Sequence, residues 1–290
     1  MDGQDFKLFR WLRPVAWLYG AGVRLRNKLF DWGWLRSESF GLPVICVGNL
    51  AVGGTGKTPH TEYLVRLLRS QRLNVATLSR GYRRKTTGYV LADVQSSATS
   101  IGDEPRQMKT KFPEVRVAVD EDRCHGIREL MKLDRPQVDV VLLDDAFQHR
   151  RVKAGLNILL TDCRRLLTDD DLLPVGRLRE PAEGKVRAQV VVVTKCPEDI
   201  KPIDFNIITK KLDLYPWQQL FFTGLRYGRL QPVFPGRAKP AGRQDIPDKD
   251  RHVLLVTGIA QPAPLVEEME ARAAGVVHLA FGDHHDFNRR

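Results

Sequence analysis

Runs of consecutive apolar residues recur along the chain, with room for a helix between most of them. Residues 44–47, Val-Ile-Cys-Val, read as a buried strand and are followed by a glycine-rich turn. Over 59–72, Leu64, Leu67, Leu68 and Gln71 fall on one face at helical spacing. Further strands are predicted at 74–78, 115–119, 138–143, 156–160 and 190–193, with a helix near 122–132. These runs are apolar throughout instead of alternating, which marks strands covered on both faces. Strands of that kind separated by helices predict a parallel α/β sheet. Residues 229–252 break the pattern. They hold Pro232, Pro235, Pro240 and Pro247 among charges and glycine, and read as a linker. Two more buried strands are predicted after it, at 253–256 and 276–279. The expected division is an N-terminal helical segment (1–40), a main lobe (41–228), the linker, and a smaller α/β lobe (253–290).

The N-terminal segment follows a different rule. Residues 6–35 carry Trp11, Trp17, Trp32 and Trp34, four of the chain's five tryptophans, interleaved with Arg10, Arg13, Arg24, Arg26 and Lys28. The uninterrupted apolar run, 15–23, is far shorter than the roughly 20 residues that span a bilayer. Asp2 and Asp5 precede it and no small-residue cleavage site follows, so it is no signal peptide. Pro14 suits the first turn of a helix. Aromatic rings mixed with cations suit a helix lying in a membrane interface, and a helix packed on the protein's own core is the alternative.

Composition sharpens this picture at two points. Lys and Arg outnumber acids 46 to 35, a formal charge of +11, so an anionic partner is expected. The four cysteines are scattered with no C-x-x-C pair, which argues against a zinc site or a disulfide framework.

The chemistry concentrates at the ends of the predicted strands. Residues 51–58, Ala-Val-Gly-Gly-Thr-Gly-Lys-Thr, fit the phosphate loop G-x-x-x-x-G-K-[ST] with Ala51 at the first glycine. Glycines let backbone amides turn toward phosphate oxygens, and the following helix adds its dipole. Gly53, Gly54, Thr55, Gly56, Lys57 and Thr58 are therefore candidate nucleotide contacts. Lys57 would reach the β- and γ-phosphates and Thr58 would bind Mg2+. Asp144 and Asp145 end an apolar strand, where a P-loop enzyme keeps its Mg2+-organising carboxylate; an acidic helix cap is the alternative. The basic stretch 79–85, with Arg80 and Tyr82, follows a strand and either faces the crevice or is a solvated loop. Thr194 and Lys195 end another strand, near where P-loop folds hold the base; a plain strand end is the alternative. Residues 102–105, Gly-Asp-Glu-Pro, read as an acidic loop that is weak by itself. Asp283-His284-His285-Asp286 could be a metal cluster, an acid–base pair or a surface accident.

Taken in order, these motifs resemble one family. Val47-Gly48-Asn49-Leu50 running into the phosphate loop and Pro59 is similar to the opening signature of the tetraacyldisaccharide 4′-kinases, the lipid A 4′-kinases. Ser79-Arg80-Gly81-Tyr82, Gly102-Asp103-Glu104-Pro105 and Asp144-Asp145-Ala146-Phe147-Gln148-His149 follow in that family's order. So do Leu178-Arg179-Glu180-Pro181, Val193-Thr194-Lys195, Gly258-Ile259-Ala260 and Asp283-His284-His285. The resemblance implies a P-loop NTPase-like fold with an N-terminal interfacial helix. It implies transfer of the γ-phosphate of ATP, with Mg2+, to the 4′-hydroxyl of an acylated glucosamine disaccharide 1-phosphate, giving lipid IVA. It further implies Asp103 as base assisted by His284, with Lys57 on the phosphates and Thr58, Glu104, Asp144 and Asp145 organising Mg2+. Asn49, Arg80, Tyr82, Arg123, Gln148, His149 and Arg179 are the implied substrate contacts. The setting it implies is the cytoplasmic face of a Gram-negative inner membrane with anionic lipids. A monomer with no nucleic-acid partner is expected. Two departures stand out: Ala146 where the family has glycine, and a C-terminal lobe expected to be incomplete at Arg290, because family members continue past D-H-H.

Two other functions compete. A P-loop GTPase or metallochaperone would need a base-reading N-K-x-D, but Thr194-Lys195-Cys196-Pro197 lacks both the Asn and the Asp. A nucleic-acid-dependent ATPase would need stacking aromatics along a basic groove, whereas here the aromatics gather at the N-terminus.

Overall fold

The computed structural model describes residues 10–228, 249–259 and 262–282. The chain forms two compact units, Met1–Leu225 and Arg226–Arg290. Most of the linker expected at 229–252 and all of the Asp283–Asp286 cluster lie outside the described residues.

The first unit is built on an eight-stranded sheet. Its strands are β1 (Val44–Asn49), β2 (Val75–Ser79), β3 (Val90–Leu91), β4 (Arg116–Val119), β5 (Val140–Asp144), β6 (Leu156–Asp162), β7 (Val190–Thr194) and β8 (Gln219–Phe222). They lie in the order β3-β4-β2-β5-β1-β6-β7-β8. Every pairing is parallel except the edge pair of β3 with β4. The chain runs outward from β1 in one direction, returns through β5, and continues through β6 on the other side. That reversal opens a crevice beside β1 at the carboxyl edge, the place where open α/β sheets bind ligands.

Six helices accompany the sheet: α1 (Arg13–Asp31), α2 (Lys57–Ser70), α3 (Ala98–Ile101), α4 (Asp103–Lys111), α5 (Arg123–Met131) and α6 (Pro202–Leu212). Because side chains alternate along a strand, each central strand feeds two cores. Val65 of α2 and Met108 of α4 pack with Val75, Val117 and Leu142. Ile127 and Leu130 of α5 and Ile208 and Leu212 of α6 pack with Cys46, Leu78, Leu143 and Val193 in the cluster on the opposite face. All four cysteines are free, and burial pushes the Cys46 thiol up to about 12.

The predicted strands all form, mostly shifted or extended by one or two residues. What the sequence analysis left out is β3, α3, α4, α6 and β8, together with a helix at Ala263–Arg272. The Gly102-Asp103-Glu104-Pro105 segment is not a loop: Asp103 and Glu104 occupy the first turn of α4. Two carboxylates there suit the partial positive charge of a helix N-terminus.

The second unit holds β9 (His252–Thr257), α7 (Ala263–Arg272) and β10 (Gly275–Ala280), with β9 and β10 paired in parallel. These strands were expected to be buried and are not. Leu254, Val256, Val277 and Leu279 are exposed. Among the described residues, a two-stranded sheet and one crossover helix cover only one face.

Helix α1 docks on the first unit along a polar seam. The Tyr19 hydroxyl donates to the Arg179 carbonyl at 2.8 Å, Arg26 donates to the Gln148 carbonyl at 3.0 Å, and Arg150 pairs with Asp31 at 2.6 Å. Only Ala16 and Gly20 of its described residues are buried, whereas Trp11, Trp17, Leu18, Trp32 and Trp34 in and around it are more than 60% exposed. The helix meets the body through small and polar side chains and Phe30, which lies under the Arg150 guanidinium, and turns Val15, Trp17, Leu18 and Leu25 outward. No helix among the described residues is long and apolar enough to cross a membrane.

Candidate active site

Because β1, β2, β4, β5, β6 and β7 are parallel, the loops that follow them open on one edge of the sheet. A cavity of about 730 Å3 lies there. The phosphate loop supplies Gly53 and Lys57, the loop after β2 supplies Arg80 and Tyr82, and α4 supplies Glu104. Arg123 opens α5, Asp144 and Asp145 end β5, and Gln148, His149 and Arg179 close the far wall. Residues up to 126 apart in sequence thus share one wall-to-wall space, as their positions at strand ends predict. Four cations, Lys57, Arg80, Arg123 and Arg179, face four carboxylates, Glu104, Glu121, Asp144 and Asp145. Sequence reasoning missed Glu121. It holds Arg84 in an ion pair at 2.5 Å, and only the fold brings it near.

The two aspartates of β5 sit in opposite electrostatic settings. Asp144 is buried, and burial together with the charges of Glu104 and Asp145 pushes its carboxyl up to about 7. Thr61 of α2 donates to it at 3.3 Å, a partner the sequence did not reveal. Burial alone would raise Asp145 as well, but it is held below the usual carboxylate range by hydrogen bonds from Arg179 and the charge of Lys57. Arg179 grips it with both terminal nitrogens, at 2.8 and 3.3 Å, and Lys57 lies 3.7 Å away. Asp145 adopts a left-handed backbone with φ +49°. It, and not Ala146, is the left-handed residue of this turn, so the family's glycine is not required at 146.

The negative charges of Glu104 and Asp145 disfavour ionised Asp144, and a divalent cation would relieve that repulsion. Among the described residues no group of three or more His, Cys, Asp or Glu is arranged to hold a metal ion by itself. A Mg2+ site does not need one, since this ion keeps waters and shares itself between one or two carboxylates and substrate phosphates. The hard oxygen donors of Glu104, Asp144 and Asp145 line the cavity and fit that pattern, while Thr58, in the first turn of α2, is not among the lining residues.

The basic loop and α4 come together backbone to backbone. Gly81 has φ +69° and Gly102 has φ +94°. A Cβ on Gly81 would lie 2.7 Å from the Ile101 carbonyl, and one on Gly102 would lie 2.9 Å from the Tyr82 carbonyl. Only glycine fits at either place, and the pair aligns Arg80 and Tyr82 with the first turn of α4. Burial and the charge of Arg123 push His149 down to about 4, so it is neutral at physiological pH.

Several candidates stand behind the cavity instead of lining it. Asn49 is fully buried, and its amide donates to Thr55 Oγ1 at 2.7 Å while its oxygen accepts from Arg179 at 2.5 Å. It braces the phosphate loop against the Asp145–Arg179 pair. Thr194 Oγ1 donates to the Thr55 carbonyl at 2.9 Å, and Lys195 donates to the Gly54 carbonyl and pairs with Asp162 at 2.8 Å. Asp103 is exposed on α4 beside Glu104, outside the cavity wall. His284 lies outside the described residues.

Comparison with known proteins agrees with this geometry. The family model described as tetraacyldisaccharide-1-P 4′-kinase matches residues 8–290. The tetraacyldisaccharide 4′-kinase of Bacteroides thetaiotaomicron is 61% identical, aligned over 100% of this chain and 77% of its own. That of Porphyromonas gingivalis is 49% identical, over 98% of this chain and 78% of its own. The crystal structure of an "apo" form LpxK from Aquifex aeolicus in complex with ATP aligns with TM-score 0.74 and 30% identity, covering 97% of this chain and 85% of that one. A GTPase or metallochaperone reading is not favoured by any of these. With the family model spanning residues 8–290 and a relative 61% identical over the whole chain, this chain belongs to the tetraacyldisaccharide-1-P 4′-kinase family.

Proposed function

We propose that this chain transfers the γ-phosphoryl group of ATP to the 4′-hydroxyl of a tetraacylated glucosamine disaccharide 1-phosphate. The observation that carries the reading is the single cavity in which Lys57, Asp144, Asp145 and Glu104 adjoin the cationic wall of Arg80, Arg123 and Arg179. One set suits a nucleotide triphosphate with its metal, the other an anionic acceptor. Phosphoryl transfer is catalysed mainly by positioning and charge neutralisation. Lys57 neutralises charge that develops on the γ-phosphate, and Arg179 holds Asp145 in place beside it. Thr58, Glu104, Asp144 and Asp145 would hold Mg2+, which would supply further neutralisation of the phosphate oxygens. As the bond from the γ-phosphorus to the ADP oxygen breaks, one forms to the 4′-oxygen, and the hydroxyl proton passes to a base. Asp103 is the candidate base and His284 its candidate assistant. Neutral His149 and Gln148 offer hydrogen bonds to the sugar without adding charge. In mixed micelles, label from γ-labelled ATP should move to the lipid disaccharide. Release of label only to water, or transfer from GTP alone, would overturn the assignment.

We further propose that the protein works as a peripheral monomer on the cytoplasmic face of a Gram-negative inner membrane. Trp11, Trp17, Leu18, Trp32 and Trp34 project from α1 and its ends, and the surrounding Arg and Lys suit anionic headgroups. Replacing Trp17 and Leu18 by Ser should weaken binding to anionic liposomes while sparing ATP affinity. Salt should weaken wild-type binding, because surface charge is screened. Unchanged liposome binding by the double variant would remove α1 from the interface.

A further inference from the structure

Three successive carbonyls of the phosphate loop, those of Gly54, Thr55 and Gly56, each accept a hydrogen bond from a side chain outside the loop. The donors are Lys195, Thr194 and His60. Lys195 and Thr194 come from the end of β7. His60 comes from the first turn of α2 and has no role in the site as described above. Its Nδ1 lies 2.7 Å from the Gly56 carbonyl, and its Nε2 lies 3.0 Å from Thr223 Oγ1 just beyond β8. A carbonyl only accepts, so Nδ1 carries a proton, and Nε2 forms the second bond, with the threonine hydroxyl. The helical bond to the same carbonyl, from the His60 amide, is longer at 3.3 Å. The ring is therefore the closer of the two donors on Gly56.

We propose that His60 is a positioning residue for the nucleotide phosphates, a deepening that rests on the kinase reading above. A peptide unit is planar and trans, so its C=O and N–H point in opposite directions. Fixing the Gly56 carbonyl fixes the N–H of Lys57, which belongs to the same peptide unit, and turns it into the loop where phosphate oxygens bind. Gly56 needs such a restraint. It sits at φ +82°, where glycine has wide freedom, and it is the N-cap of α2, with no side chain of its own to close that end. Thr223 anchors the far side of the ring. Its amide donates to the Val193 carbonyl at 2.8 Å, and its carbonyl accepts from the Cys196 amide at 2.9 Å. The ring thus ties the phosphate loop to the strand-end segment that carries Thr194 and Lys195. Together the three donors hold the loop's amides turned inward before any phosphate arrives, which removes an ordering cost from binding.

The test measures ATP affinity and steady-state constants on the full chain. His60→Leu should weaken ATP binding about 3- to 10-fold, the worth of one organising hydrogen bond. The same variant should raise the KM for ATP and leave the KM for the lipid acceptor unchanged. His60→Asn keeps a donor near the Nδ1 position and should recover most of the loss. Thr223→Val, which releases the ring's far anchor without touching the loop, should weaken ATP binding in the same direction by a smaller factor. Wild-type ATP affinity in a folded His60→Leu variant would overturn the proposal. So would equal losses in the Asn and Leu variants with Thr223→Val unchanged. A wild-type protein that binds no ATP would instead sink the kinase reading, so the two failures are distinguishable.

Discussion

Gly48 offers a test of how closely β1 must approach the turn that carries the aspartates. A Cβ built on Gly48 lies 2.7 Å from Phe147 Cβ and 3.1 Å from the Phe147 amide nitrogen. Ordinary contact begins at 3.4 Å, so Gly48→Ala forces a separation of about 0.7 Å. Phe147 has little room to yield. It is 5% exposed, and the Arg187 guanidinium lies 4.5 Å above its ring. Overpacking of this kind costs about 1–3 kcal/mol, which in a domain of this size lowers Tm by roughly 2–12 °C. The displaced segment also carries Asp145, two residues back, already in a left-handed conformation and gripped by Arg179 at 2.8 Å. A shift approaching 1 Å there should lower turnover by on the order of 10²-fold. The assays are thermal unfolding and label transfer in mixed micelles. Gly22→Ala is the control, since nothing lies within 4 Å of its Cβ position in α1. A helix-interior alanine there should be neutral or stabilising by up to about 1 kcal/mol. Wild-type Tm and turnover in Gly48→Ala would refute the argument that β1 and the aspartate turn are held at minimum separation.

Other outcomes follow from the same geometry. Lys57→Ala should leave the fold intact and lower turnover by orders of magnitude, because it removes the phosphate-loop cation, which lies 3.7 Å from Asp145; near-wild-type turnover would take Lys57 out of the mechanism. Asp103→Asn and His284→Ala should each cost roughly 10²–10⁴ in turnover, and the double variant should be little worse than the worse single one, whereas multiplicative losses would show independent action. His149 has a folded-state pKa depressed to about 4, so the folded protein binds fewer protons than the unfolded chain between that value and 6.5. Its contribution to stability is full above 6.5 and is lost as pH falls toward 4. His149→Gln should flatten that part of the stability profile, and an imidazole resonance titrating near 6.5 would contradict the assignment.

Much of the fold was legible because its central strands are buried on both faces and so are written as unbroken apolar runs. The phosphate loop was legible for a related reason: glycines, Lys57 and Thr58 lie next to one another in the chain, so local sequence records local chemistry. Helix α6 and strand β8 were not visible, because Ile203 and Ile207 are exposed and β8 sits at the sheet edge, which weakens the periodic signal. The exposed faces of β9 and β10 show the converse error. An apolar run records what a strand could bury, and only its neighbours decide what it does bury.

The sequence by itself determined which residues could handle phosphate, metal and proton, and that they belong to the ends of parallel strands. Tertiary structure alone decided how they divide the work. Asp144 and Asp145 are adjacent in sequence and chemically identical, yet one is pushed up to about 7 and the other held low. Burial and neighbouring carboxylates raise Asp144, whereas Asp145 is held low by Lys57 and by Arg179, which arrives from 34 residues away. His60 is likewise an ordinary helix residue in the sequence, and Thr223, 163 residues distant, makes it a strut. Electrostatic and hydrogen-bond energies depend on separation in space, which a chain fixes only after it has folded.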